Sequence, residues 1–206
     1  MTRTVFLTAL LMLISACGGS KSHPRATPTP VSSWEVGPTI RGKAYSTGFT
    51  FDGSTLTLPL AGGSANYITR PTGSLAGKTS IYLRYRVELD PGVTLHPKCC
   101  PEMVATGPTL YFQIANDDWA SDGGRWWATF ATPIPIEPGE HELQVPFDGN
   151  WTSVMTMSRT SNLQQFEQAL AHAGRIGFTL GGGDGYGHGI YATGPARLII
   201  LDFSTQ

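Results

Sequence analysis

Hydrophobic and polar positions alternate along most of this chain with the period of a β-strand. Ile81, Leu83, Tyr85, Val87 and Leu89 interleave with Tyr82, Arg84, Arg86 and Glu88, which predicts a strand with one buried face and one face open to water. Leu143, Val145 and Phe147 alternate with Gln144 and Pro146 in the same way. Further short runs, each closed by turn residues, predict strands over Ala44–Phe51, Thr55–Leu60, Ala65–Thr69, Ser80–Leu89, Thr109–Ala115, Trp126–Ala131, His141–Phe147, Thr152–Met157, Arg175–Leu180, Gly189–Ala192 and Ala196–Phe203. Only one segment changes period. Leu163, Phe166, Leu170 and Ala173 repeat at helical spacing, with Ser161 and Gln164 placed as a capping box and Gly174 as the terminating glycine. Many short strands and one short helix predict an all-β fold, an antiparallel jelly-roll β-sandwich.

The first residues carry a different pattern. Arg3 precedes a mostly apolar run from Val5 to Ile14, too short for a helix of roughly 20 residues across a bilayer. Ser15 and Ala16 then stand directly before Cys17. The stretch Leu13-Ile14-Ser15-Ala16-Cys17 resembles the lipobox of bacterial lipoproteins. That resemblance implies a cleaved signal peptide over 1–16, a diacylglycerol on the Cys17 thiol with a further acyl chain such as palmitate, and a domain held on a membrane outside the cytoplasm. An ordinary secretory signal with an incidental cysteine is the alternative. Residues 17–33 follow as a Pro/Ser/Thr-rich tether with too little apolar area to offset its ordering entropy. Gly18 to Ser33 would reach roughly 50 Å when extended. The sandwich domain is expected over 34–206.

Composition narrows the partner. Removing residues 1–16 of the 206 leaves 190, which fits one domain with a full core. Charged residues make up 14% of the chain and the formal net charge is −1. Nucleic-acid binding is therefore not expected, since it needs a concentrated basic surface. A neutral polar partner such as a glycan suits this balance better.

The densest chemistry lies in Asn116–Trp127. It holds Asp117, Asp118, Asp122 and Arg125 beside Trp119, Trp126 and Trp127, three of the five tryptophans. Sugar rings combine apolar C–H faces with hydroxyl rims, so their binders pair flat aromatic faces with bidentate polar groups. In this reading Trp119, Trp126 and Trp127 stack on the ligand while Asp117, Asp118 and Arg125 bond its hydroxyls. Trp126 and Trp127 point to opposite faces if their run is a strand, so at most one belongs to the core. Packing of the tryptophans in the core or at its rim is the competing account. The glycine-rich stretch Gly181–Gly189 offers Asp184, Tyr186 and His188; Tyr186 and His188 are candidates to complete the site, against a hairpin that only lets strands cross. It is not a phosphate loop, because the Gly-Lys-Ser/Thr signature is absent.

Asp202 interrupts the apolar run Leu198–Leu201, and a buried carboxylate demands a cation or several donors; it is the candidate ligand for a structural calcium. Cys99 and Cys100 are adjacent, which leaves open a vicinal disulfide, two thiols, a soft-metal site with His96 that lacks a fourth ligand, or a redox role. No spacing marks a nucleophile elbow or a metalloprotease helix.

From Tyr45 to Phe203 the pattern resembles the galactose-binding-like jelly rolls, which include many carbohydrate-binding modules. The closest likeness is Arg175-Ile176-Gly177-Phe178-Thr179-Leu180-Gly181-Gly182-Gly183 followed by Ala196–Phe203. The resemblance implies the sandwich, and an acidic residue such as Asp202 near a structural calcium. Function is thus expected to be non-catalytic binding of a carbohydrate or similar polar ligand, with an envelope polysaccharide-acting enzyme or a structural lipoprotein as alternatives.

Overall fold

The computed structural model describes residues 33–206 apart from 38, 41, 42, 45–47, 61–66, 118, 120, 121, 132, 133, 154–156 and 183–188. Cys17, the tether up to residue 32, Asp118, Asp184, Tyr186 and His188 lie outside the described residues.

The chain runs through β1 (Glu35–Gly37), β2 (Thr39–Ile40), β3 (Lys43–Ala44), β4 (Thr50–Phe51), β5 (Leu56–Pro59), β6 (Tyr67–Pro71), β7 (Ser80–Leu89) and β8 (Leu95–Pro97). It continues with β9 (Ala105–Ile114), β10 (Arg125–Ala128), β11 (Gly139–Pro146), β12 (Trp151–Ser153), α1 (Leu163–Ala171), β13 (Ala173–Gly182), β14 (Ile190–Ala192) and β15 (Ala196–Thr205). One sheet has six strands in the order β1-β6-β13-β9-β10-β12, a second has five in the order β11-β7-β15-β5-β4, and β14-β8 and β2-β3 form two separate two-stranded sheets. Their pairings are all antiparallel. The fold is the all-β sandwich that the alternation predicts.

Period-two patterning decides which side chains meet between the sheets. From the five-stranded sheet come Leu56, Leu58, Ile81, Leu83, Tyr85, Val87, Leu198 and Ile200; from the six-stranded sheet come Ile68, Leu110, Phe112, Trp126, Ile176 and Phe178. The polar side of β7 faces water and carries a charge ladder. Arg86 pairs with Glu88 (3.2 Å) and Glu140 (3.5 Å), and Arg197 with Glu88 (2.5 Å). Such exposed pairs contribute little individually.

The helix closes one end of the core. Phe166, Ala169 and Leu170 are its buried residues, and Phe166 meets Trp126 edge-on at 5.1 Å. Its boundaries differ from those the sequence suggests. Asn162, not Ser161, occupies the N-cap, and the helix ends at Ala171. Ala173 and Gly174 already belong to β13. A Cβ on Gly174 would lie 2.7 Å from the Cα of Ala115, so this glycine serves strand contact at a register shift between Ala173 and Arg175.

Asp202 also corrects its sequence reading. A register shift between Ile200 and Asp202 interrupts the β15–β7 ladder. Asp202 emerges exposed and opposite Arg84, so the premise of a buried carboxylate fails. Among the described residues no group of three His, Cys, Asp or Glu side chains converges to hold a metal.

Candidate functional site

β9 breaks the rule that one face of a strand is buried and the other wet. Leu110 and Phe112 enter the core, yet Thr109, Tyr111 and Gln113 on the opposite side are buried as well, Tyr111 at 0% and Gln113 at 3% exposure. Two polar side chains and a phenol beside the central strand of the six-stranded sheet thus sit out of water on the side away from the sandwich core.

Strand register assembles their neighbours. Tyr111 stands between Gly177 of β13 and Trp127 of β10, and Gln113 between Arg175 and Arg125. Thr109 pairs with Thr179, which in turn pairs with Tyr67. The Tyr111 ring occupies the space over Gly177: a Cβ there would come within 2.7 Å of two ring carbons. It stacks with Trp127 at 6.1 Å and 29°, and Tyr67 meets it edge-on at 6.0 Å. Offset and edge-on geometries like these are favoured by the ring quadrupoles.

The turn after β9 folds onto this face. Asn116 and Trp119 both adopt positive φ, 58° and 65°, a conformation uncommon for a bulky side chain. Asp117 is thereby directed inward, with its Oδ2 2.6 Å from Arg125 Nη1, and both side chains are buried. Gln113 Nε2 donates to the same carboxylate at 3.4 Å, and the Trp119 backbone N–H donates to its Oδ1 at 3.3 Å. The Arg125 guanidinium lies 4.8 Å from the centre of the Trp119 ring, a cation–π contact. Trp119 meets Tyr67 edge-on at 5.2 Å. Both Trp119 and Tyr67 are half-buried, so this end of the face reaches solvent.

Charge on the face is balanced. Arg125 is matched by Asp117, and Arg175 Nη2 donates to Glu35 Oε1 at 3.0 Å. Hydrogen bonding is not. Tyr111 Oη, Gln113 Oε1, Arg125 Nε and Thr179 Oγ1 are buried without a hydrogen-bond partner among the described residues. Thr69, next to Tyr111, donates its hydroxyl to the Ile176 carbonyl at 3.0 Å instead. Burial pushes the Tyr111 phenol far above its ordinary pKa. The phenol is therefore a neutral group able to donate and accept.

Of the residues singled out in the sequence, Asp117, Trp119, Arg125 and Trp127 come together here. Trp126 does not. It is fully buried in the core on the other side of β10, its Nε1–H donating to the Gly123 carbonyl at 3.0 Å, so its ring is unavailable for stacking on a ligand. Trp127 is on the site side, but it belongs to a strand and is buried, not carried on an exposed turn. Sequence reasoning missed Tyr67, Tyr111, Gln113 and Thr179. Their signal was present in Thr-Leu-Tyr-Phe-Gln (109–113), where the positions alternating with the apolar ones are hydrogen-bonding residues.

No protein-family model matches the chain, and neither the curated proteins nor the solved structures provide a match.

Proposed function

We propose that this domain is the non-catalytic binding module of a lipid-anchored envelope protein, and that it takes an uncharged polyhydroxylated ligand, in the first instance a saccharide, on the outer face of the six-stranded sheet. One observation carries the reading: the half-buried Trp119 and Tyr67 rings meet edge-on at 5.2 Å at the solvent end of that face, held there over the buried Asp117–Arg125 pair. The Trp119 and Tyr67 rings at the solvent end supply flat surfaces for C–H faces. Internal neutralisation of both arginines disfavours a charged ligand, because neither offers a free countercharge. The lipid anchor rests on the signal-like run before Cys17.

Glycan-array screening followed by calorimetry, with wild type and Trp119→Ala, tests the binding. Wild type should bind at least one neutral glycan, and Trp119→Ala should weaken that binding by about tenfold, the equivalent of about 1.4 kcal/mol for one stacked ring. Absence of any bound glycan, or equal affinity in the two proteins, overturns the reading. For the anchor, metabolic labelling with palmitate should mark wild type and spare Cys17→Ala; equal labelling overturns it.

A further inference from the structure

Cys99 and Cys100 lie in the segment between β8 and β9. In extended backbone, neighbouring side chains point to opposite sides. A bend at Lys98–Cys99 brings these two sulfurs into contact instead. The segment is pinned around them. Lys98 N–H donates to the Gly189 carbonyl, and Met103 N–H to the Cys100 carbonyl, each at 2.9 Å.

His96 is part of that brace. Its Nε2 is 2.9 Å from Thr94 Oγ1, its Nδ1 2.9 Å from the Pro101 carbonyl, and its ring stacks on Tyr191 at 5.4 Å. Both ring nitrogens are thus engaged in closing the loop over 94–101. Neither is left to bind a metal with the sulfurs or to take a proton from them. The two sulfurs differ in access: Cys99 is exposed and Cys100 half-buried, and neither is in a disulfide.

We infer that Cys99 and Cys100 form a reversible two-electron dithiol/disulfide couple, in which Cys99 is the attacking thiol and Cys100 the resolving one. The oxidant is a disulfide, either of a low-molecular-weight thiol or of a dithiol oxidase. The Cys99 thiolate attacks one sulfur of that disulfide, forming a mixed disulfide and expelling the first thiolate. Cys100, deprotonated to solvent, then attacks Cys99 Sγ and expels the second. The pair loses two electrons and two protons; the oxidant's S–S bond is broken and reduced to two thiols. The product is an eight-membered vicinal ring. Strained disulfides of this kind are the more readily reduced ones, so the couple responds to its surroundings in both directions.

Equilibration of the purified full chain in glutathione buffers of graded oxidised-to-reduced ratio tests this. The readout is maleimide trapping and mass spectrometry of the proteolytic segment that carries both cysteines, which keeps Cys17 out of the measurement. Wild type should pass reversibly from two maleimide-reactive thiols to a species lighter by two hydrogens and unreactive to maleimide. Cys100→Ser should stop at a glutathione adduct on Cys99, while Cys99→Ser should form its adduct more slowly. A wild-type segment that stays reduced across the series, or that collects glutathione adducts without closing, overturns the couple. Equal adduct rates in the two variants overturn the assignment of attacking and resolving roles. None of these outcomes depends on whether the ligand face binds a saccharide.

Discussion

Replacing Asp117 by Ala tests the electrostatic centre of the candidate site. Asp117 and Arg125 approach to 2.6 Å with side chains exposed by only 0% and 2%, so removing one partner strands the other in a low-dielectric setting. Breaking a buried pair in this way costs about 3–5 kcal/mol. The two single variants should not be equal. Arg125→Met leaves the carboxylate with donors from Gln113 and the Trp119 backbone, which places it near the lower figure, about 3 kcal/mol. Asp117→Ala leaves a buried guanidinium whose Nε already lacks a partner, which places it near the upper one, about 5 kcal/mol. For a domain of this size each kcal/mol lowers Tm by about 2–4 °C. Arg125→Met should then melt about 6–12 °C below wild type and Asp117→Ala about 10–20 °C below. The double variant Asp117→Ala/Arg125→Met removes both charges and should lose less than the two singles combined. Urea unfolding of all four proteins, read by circular dichroism, closes the cycle. A single variant costing under about 1 kcal/mol, the value of an exposed pair, would refute the argument that this ion pair is desolvated.

Gly177→Ala should destabilise the domain by about 1–3 kcal/mol, since the new Cβ would lie 2.5 Å from the Ile68 carbonyl oxygen and 2.7 Å from the Tyr111 ring. Gly73→Ala, where nothing lies within 4 Å, is the control in the same urea titration and should stay within about 0.5 kcal/mol of wild type. Stability should fall in alkali. Burial raises the Tyr85 phenol from 10.0 to about 12 and Tyr111 higher still. The unfolded chain therefore releases these protons first, and the stabilisation is complete below pH 10 and lost as pH rises through the folded values. Equal unfolding midpoints at about pH 9 and about pH 11 would contradict this. In acid the sign reverses at Asp52, whose carboxylate is held below its ordinary 3.8 by the N–H groups of Thr55 and Ser54. Its contribution to the turn between β4 and β5 is present above that value and disappears as pH falls through the folded pKa. An NMR titration of the Asp52 carboxyl should show a depressed midpoint, and Asp52→Asn should flatten the acid limb of stability.

Alternation along Ile81–Leu89 and Leu143–Phe147 determined by itself that these segments are strands and which side of each faces the core, because a strand's side-chain period is two whatever surrounds it. The helix over 163–171 was legible for the same reason, its apolar spacing being local, although its ends were not: Gly174 reads as a terminator in sequence but is required by the approach of Ala115. What alternation cannot express is the partner of each strand. Tyr67, Thr179, Tyr111 and Trp127 are scattered over some 110 positions of chain, and only antiparallel register lays them side by side on one face. Two local irregularities were equally invisible. The shift between Ile200 and Asp202 turns a carboxylate outward from an apolar run, and the positive φ at Asn116 and Trp119 turns Asp117 inward onto Arg125. Composition along the chain thus determined which residues prefer water. The pairing of strands distant in sequence decided which polar groups were nevertheless placed where water does not reach, because backbone hydrogen bonding across the sheet sets register before any single polar side chain is satisfied.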